Sequence, residues 1–183
     1  MVEHTHSYPT YAKAIHLGIA VFGITAFLTG EWAEGSAESL GYLAHAYLGL
    51  SLAAFMLLRI SAGLSGQQAL SFRGWSPFSR RQWGLALEDL RTLLRLGVPE
   101  RGPHQGLSGI TQAFGLILFA WMAISGTALF VLGSGVDSSI FEFIEETHEV
   151  GESLIPLYLA LHVGAVILHT LSGEAIWKKM FNR

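Results

Sequence analysis

Five histidines interrupt stretches of the sequence that are otherwise almost purely apolar. They are His16, His45, His148, His162 and His169. An ionisable group inside a membrane is costly and usually functional, and neutral imidazole is a common metal ligand. A single buried histidine is more often a hydrogen-bonded core residue than a ligand. Five of them on three apolar segments favour metal ligation.

The absence of cysteine limits the chemistry that these histidines can support. The chain has no cysteine, so it has no disulfide, thiolate metal site, iron–sulfur cluster or covalently attached c-type haem of its own. Any redox centre must therefore be held by histidine, methionine or oxygen ligands.

Composition places the histidines in a membrane. The chain is 51% hydrophobic and 14% charged, with a mean hydropathy of +0.43, whereas a soluble domain has about 25% charged residues. Four apolar stretches approach or exceed the roughly 20 residues that a spanning helix needs. We predict an all-α, integral membrane four-helix bundle that forms one domain over residues 1–183, with spans at about 12–30, 39–60, 108–133 and 150–173 and a loop at 61–107.

Charge segregation predicts the orientation of these spans. All eleven Lys and Arg residues lie at the start of span 1, at the end of span 2, between spans 2 and 3, or after span 4. The positive-inside rule then puts both termini and the 61–107 loop in the cytoplasm. The Asp, Glu, Lys and Arg residues of the opposite loops are all acidic. They are Glu31, Glu34, Glu38, Asp137, Glu142, Glu145, Glu146, Glu149 and, at the mouth of span 4, Glu152.

The cytoplasmic loop contains an amphipathic segment, Arg80–Leu96. One helical face carries Trp83, Leu87, Leu90 and Leu94, and the other carries Arg81, Glu88, Arg91 and Arg95. The pattern predicts a short helix in the membrane interface with its basic side towards headgroups. A cytoplasmic helix packed on the bundle explains the pattern equally well.

The depths of the histidines predict two metal sites. His148 and His162 are 14 residues apart, which is about 21 Å along a helix and within about 40° of the same face. His45 lies near the outer end of span 2, opposite His148, and His16 lies near the inner end of span 1. Two histidine pairs at two levels predict two bis-histidine haem sites.

The inner partner of His16 stays open at this point. Depth counting favours His169, helix tilt leaves His162 as the alternative, and spacing does not decide. Span 3 has no histidine, and we expect it only to wall the sites, with Gln112 as its one long polar side chain.

An ordered set of short motifs resembles the bacterial cytochrome b561 superfamily, which includes the b-type cytochrome subunits of nickel–iron hydrogenases and membrane formate dehydrogenases. The motifs are Ala14-Ile15-His16, Leu28-Thr29-Gly30, His45-Ala46-Tyr47-Leu48-Gly49, Leu58-Arg59, Ser76-Pro77-Phe78, Gly102-Pro103-His104-Gln105-Gly106-Leu107-Ser108-Gly109, Thr147-His148-Glu149 and Leu161-His162-Val163-Gly164-Ala165. The 14-residue interval in span 4 is the most specific of them. The sequence departs from the family in having Pro103-His104-Gln105 where a segment like Gly-His-Asn-Pro is usual.

The resemblance implies a ligand set. It pairs His45 with His148 on an outer haem b and His16 with His162 on an inner haem b, both non-covalent, so that His169 becomes a second-shell or quinone-side residue. Arg59, at the cytoplasmic end of span 2, is a candidate contact for the propionates of the inner haem. Extension to the lipid headgroups is the default role for arginine at that position.

The leading functional prediction is an electron relay in the bacterial inner membrane. Two axial histidines leave no open iron position, which favours electron transfer between the quinone pool and a periplasmic partner. The acidic outer loops favour a partner with a basic patch, either a c-type cytochrome or a dehydrogenase or hydrogenase subunit. The alternative is a stand-alone, quinone-linked superoxide oxidase of the same fold. A histidine-lined transporter is disfavoured because the spans lack carboxylates, and we expect no nucleic-acid partner.

Overall fold

The computed structural model describes residues 8–33, 39–66, 70–72, 79–100, 104–133 and 138–181, and over these ranges its regular structure is helical. The helices are α1 (Thr10–Leu28), α2 (Leu40–Leu64), α3 (Arg80–Leu94), α4 (Gly106–Leu132), α5 (Ser138–Leu171) and α6 (Lys178–Phe181), with a 3-10 turn at Gly30–Ala33 after α1. The predicted all-α class is confirmed.

Four of these helices have the length and composition of membrane spans. They are α1, α2, α4 and the Ser139–Leu171 part of α5. Much of their apolar surface is open, as at Leu17, Val21 and Ile24 of α1, which are 55%, 47% and 39% exposed. Large apolar side chains exposed along a whole helix suit contact with lipid. The prediction of four membrane spans is therefore confirmed. The cytoplasmic location of both termini and of the 61–107 loop stays a prediction.

Helix α5 starts earlier than the sequence suggested. It begins at Ser138 and contains 34 residues, whereas the charge-free stretch predicts a start of span 4 at about 150. A helix of that length extends about 51 Å, and the hydrocarbon core of a bilayer is about 30 Å thick. The helix therefore continues through the glutamates that precede the charge-free stretch, and the boundary of span 4 stays a prediction. Pro156 lies inside α5 without ending it.

The chain forms two compact units, and each helix that crosses between them contributes to both. The first unit is Ala14–Ser61 with Ile117–Pro156, and the second is Met1–Lys13, Ala62–Leu116 and Leu157–Arg183. In the first unit Leu52, Met56 and Leu118 form an apolar core, each at most 4% exposed. The ring of Phe55 lies over Gly18 and stacks on Phe22 at 5.5 Å. That the whole chain is a single domain stays a prediction.

The second unit contains α3, which has three faces and not the two that we predicted. Its apolar and basic faces are both exposed, and the buried side chains are Gln82, Ala86 and Asp89. The Ser79 hydroxyl oxygen caps the first turn of α3 by accepting a hydrogen bond from the backbone N–H of Gln82 at 3.2 Å. The helix therefore packs on its own unit through a face that the amphipathic pattern did not mark, and its position relative to lipid stays a prediction.

Candidate haem site

His45 of α2 and His148 of α5 face each other in the first unit. Their ring centroids are 6.3 Å apart and their planes are at 87°. Both residues are half-buried. These two histidines were predicted to lie at the same outer level, and the structure brings them together.

The hydrogen bonds of the two rings indicate which nitrogen is left to bind a metal. His45 Nδ1 lies 3.0 Å from the carbonyl oxygen of Ala26, which can only accept, so this Nδ1 carries the proton. His148 Nδ1 lies 2.8 Å from Ser125 Oγ, and the same Oγ lies 2.9 Å from the Trp121 carbonyl oxygen. With its single hydrogen on the Trp121 carbonyl, Ser125 Oγ accepts from His148 Nδ1. We infer from this assignment that both rings present an unprotonated Nε2.

This arrangement matches what metal-binding histidines usually require. A ligating histidine donates its other ring N–H to a carbonyl, carboxylate or similar acceptor, which fixes the tautomer and raises the basicity of the ligand. Here a backbone carbonyl from α1 and a serine from α4 have that role. Helices α1, α2, α4 and α5 of the first unit thus together hold the two imidazoles, which both carry their proton on Nδ1 in this assignment.

The spacing of the rings also fits axial ligation of one iron. A metal–histidine bond is about 2.0 Å long, and the centroid of a five-membered ring with bonds of about 1.3 Å lies about 1.1 Å from each atom. Two imidazoles on opposite sides of one metal therefore have centroids about 6 Å apart. The observed 6.3 Å agrees with this value. The residues present fit a bis-histidine haem, and their role as ligands stays a prediction.

Small residues flank both rings. A Cβ placed on Gly126 of α4 would lie 3.0 Å from His148 Cε1, so a side chain here would press on the ring. A Cβ on Gly49, one turn after His45, would meet no atom within 4 Å. Both features suit a flat ligand beside the two helices, although small residues also serve ordinary helix packing in membranes.

The inner ligand candidates belong to different units. His16 is exposed on α1 and Arg59 is half-buried near the end of α2, both in the first unit. His162 of α5 is in the second unit, where its ring stacks on that of Tyr158 at 5.5 Å and 16°. The pairing of His16 with His162, and the propionate role of Arg59, stay predictions.

The other histidines occupy different settings. His169 is in the last turn of α5, where its Nδ1 lies 3.3 Å from Glu174 Oε2. His104 lies just before α4, and its Nδ1 is hydrogen-bonded to Oε1 of Gln112 within that helix. The N-terminal His4 and His6, the acidic Glu34, Glu38 and Asp137, and the Ser76-Pro77-Phe78 motif lie outside the described residues.

Sequence reasoning missed Ser125. We expected α4 only to wall the sites, and the structure corrects this because α4 supplies the hydroxyl that holds His148. A serine in an apolar helix commonly bonds to the carbonyl four residues earlier, and Ser125 does so as well. The sequence signal was the polar pair Ser125-Gly126 inside an apolar span, at a depth comparable with His148.

We predict that Ser125→Ala raises the midpoint potential of the outer haem without removing it. The substitution deletes the acceptor of the His148 Nδ1–H, which makes the imidazole less basic and stabilises ferric iron less well. Redox titration followed by visible spectroscopy measures the shift. Ser51→Ala is the matched control, since the Ser51 hydroxyl bonds only to the Tyr47 carbonyl at 2.8 Å. Equal potentials in the two variants would contradict the assignment.

The sequence also matches a known protein family. The sequence model of the prokaryotic cytochrome b561 family matches residues 7–183, which includes all five histidines of the apolar segments. No curated protein and no solved structure matches the chain.

Proposed function

Because the chain belongs to the prokaryotic cytochrome b561 family, we propose that it relays electrons between a periplasmic redox partner and the membrane quinone pool, using two haem b groups. Family membership together with four membrane-spanning helices makes it a multi-pass electron-transfer protein of the bacterial inner membrane that binds haem b. The number of haems, the partner and the quinone are parts of the proposal.

The observation that carries the proposal is the facing pair of His45 and His148. Each ring has its Nδ1 proton committed to a protein acceptor, so the pair offers two neutral Nε2 ligands. Haem b bound there supplies a one-electron iron centre. If His45 and His148 both bound the iron, no protein-free ligand position would remain and the site would favour electron relay over binding of oxygen.

The inner site of the proposal uses His16 and His162. Its support is the family resemblance and the 14-residue interval between His148 and His162, which is about 21 Å along α5. Arg59 would contact propionates from the end of α2. His169 lies one to two turns beyond His162 and is assigned to the quinone side of this site.

The surface near the outer site supports a cationic partner. Helix α5 begins at Ser138, ten residues before His148, and its residues 138–149 include four exposed glutamates, Glu142, Glu145, Glu146 and Glu149. At 3.6 residues per turn they fall within an arc of about 100°. We call these four residues the glutamate stripe. A c-type cytochrome, or a dehydrogenase or hydrogenase subunit with a basic patch, fits its charge.

The glutamate stripe also disfavours the alternative function, a stand-alone superoxide oxidase. A stand-alone superoxide oxidase takes an anionic substrate at the outer face, and a surface of one charge repels ions of the same sign. Four exposed carboxylates beside His148 therefore oppose the approach of superoxide while they attract a basic protein.

Reconstitution of the purified chain tests the relay. In liposomes that contain ubiquinone or menaquinone, a reduced basic c-type cytochrome added outside should reduce bound b haem, and the haem should reoxidise only when quinone is present. Quantification should give two b haems for each chain. A colourless protein, or reoxidation that ignores quinone, would refute the proposal. Turnover with superoxide that exceeds turnover with the cytochrome would support the alternative function instead.

A further inference from the structure

Helix α3 packs on the protein through polar side chains. Gln82 is 6% exposed and Asp89 is 3% exposed, with Ala86 between them at 4%. A soluble amphipathic helix usually buries its apolar face and exposes its polar one. In α3 the buried face instead carries Gln82 and Asp89, and the apolar face is exposed.

The buried polar groups tie α3 to the start of α4. Gln82 Nε2 donates to the carbonyl oxygens of His104 at 3.0 Å and Gly106 at 3.3 Å. Asp89 Oδ2 accepts from the Leu107 amide at 2.9 Å, which satisfies one of the four amides that the first turn of a helix leaves unpaired. A Cβ on Gly109 would collide with the Gln82 amide and the His104 carbonyl, so the two segments approach closely.

These contacts fix the height of α3. Helix α4 is a membrane span that begins at Gly106, and its first turn therefore lies near a boundary of the hydrocarbon layer. A helix bonded to that turn at two points lies at the same level. The apolar face of α3 is thus placed where acyl chains and headgroups meet.

The exposed faces of α3 have the chemistry of a membrane interface. Trp83, Leu87, Leu90 and Leu94 form one apolar stripe and are 58%, 48%, 46% and 76% exposed. Arg80, Arg91 and Arg95 are also exposed and lie beside the stripe, on the side away from the buried face. Such a helix, with tryptophan and leucine on one face and arginine next to it, is typical of segments bound to anionic lipid surfaces.

We propose that α3 is a lipid-binding element, which inserts Trp83, Leu87, Leu90 and Leu94 into the bilayer interface while its arginines bind anionic headgroups. Its occupant is the bilayer and not a protein partner, because α3 is bonded to a spanning helix at the membrane boundary. The proposal rests on the membrane placement of α4 and on the contacts of Gln82 and Asp89. It does not depend on the number of haems or on the redox partner.

The absence of cysteine makes the test direct, because one substitution introduces one thiol. Leu87→Cys and Leu90→Cys probe the apolar stripe, and Arg81→Cys, which is exposed on another face of α3, is the matched control. Each full-length variant is placed in nanodiscs of phosphatidylcholine with phosphatidylglycerol, labelled with bimane, and quenched with lipids that carry brominated acyl chains. Elution from size-exclusion chromatography and far-ultraviolet circular dichroism check the fold of each variant.

We expect brominated lipid to quench bimane at positions 87 and 90 and to leave position 81 nearly unquenched. A charged maleimide should react with Leu87→Cys and Leu90→Cys about tenfold or more slowly than with Arg81→Cys, since reaction requires an apolar position to leave its apolar surroundings. Equal reaction rates without lipid quenching would overturn the proposal. Slow reaction without lipid quenching would also overturn it, because a protein would then cover the stripe.

A second comparison tests the headgroups. Quenching at position 87 should increase when phosphatidylglycerol replaces part of the phosphatidylcholine, and this increase should disappear when Arg80, Arg91 and Arg95 are replaced by glutamine. If quenching is the same in both lipids, the arginines do not bind anionic headgroups and that part of the proposal is wrong.

Discussion

Replacing His148 with alanine should remove one of two bound b haems and leave the other in place. The substitution deletes one of the two facing imidazoles, and a haem at this site would keep only one histidine ligand, so we expect it to be lost during purification. We expect the haem-to-protein ratio to fall from about two to about one. A reduced-minus-oxidised visible spectrum with pyridine haemochrome quantification measures it, and His45→Ala should give the same loss.

The matched control lies on the same helix. His169 is in the last turn of α5 and already faces the Glu174 carboxylate at 3.3 Å, so His169→Ala should retain both haems, whereas His162→Ala should lose the inner one. A His148→Ala protein that keeps its full haem content would refute the outer pair. If His169→Ala loses a haem and His162→Ala does not, then depth counting was right about the inner ligand and the family resemblance was wrong.

The fold was predictable because lipid imposes one simple rule on sequence. Stretches without charge located α1, α2 and α4, whose ends fall within about four residues of the predicted spans. The same rule gives no information on the start of α5, since charge indicates where a lipid-exposed stretch ends and not where a helix ends. Helix α5 continues to Ser138 through residues that a water-exposed helix tolerates.

The histidines of the outer site were predictable for the same reason, and their hydrogen-bond partners were not. Depth along a helix follows from counting residues, so His45 and His148 were placed at one level. The choice of Ser125 and the Ala26 carbonyl as Nδ1 partners depends on how each helix is rotated about its axis. Periodicity in a uniformly apolar span contains no information on that rotation.

Helix α3 shows a different limit. Its apolar and basic faces were visible in the pattern, but the pattern did not distinguish Asp89 and Gln82, which are buried. Buried Asp89 accepts from the Leu107 amide, one of the amides that the first turn of a helix leaves without a helical partner. Buried Gln82 donates to the His104 carbonyl just before α4. Hydrogen bonds of this kind, between α3 and the start of α4, become visible only when the two segments are placed side by side.

Neutralising the glutamate stripe should slow reduction of the protein by a basic c-type cytochrome without changing its haem content. The variant carries Glu142→Gln, Glu145→Gln, Glu146→Gln and Glu149→Gln, all at exposed positions of α5. Charge complementarity raises association rates by about 10- to 1,000-fold at low ionic strength, so we expect the second-order rate constant to fall at least about tenfold. Stopped-flow absorbance of the reconstituted protein gives this rate.

The salt dependence separates steering from a structural defect. Screening shortens the range of surface charges to about 10 Å at 0.1 M ionic strength, so the rate for the unmodified protein should fall steeply as salt is added, while the rate for the variant should stay nearly constant. Reduction by a small neutral donor should be equal in the two proteins. Like charges at helical spacings of three and four residues destabilise a helix by about 0.2–0.5 kcal/mol per pair. Glutamine relieves that repulsion, so we expect the four substitutions to leave α5 folded. A rate that is unchanged by the four substitutions would exclude the stripe as the docking surface and leave the partner to be sought at a different part of the outer face.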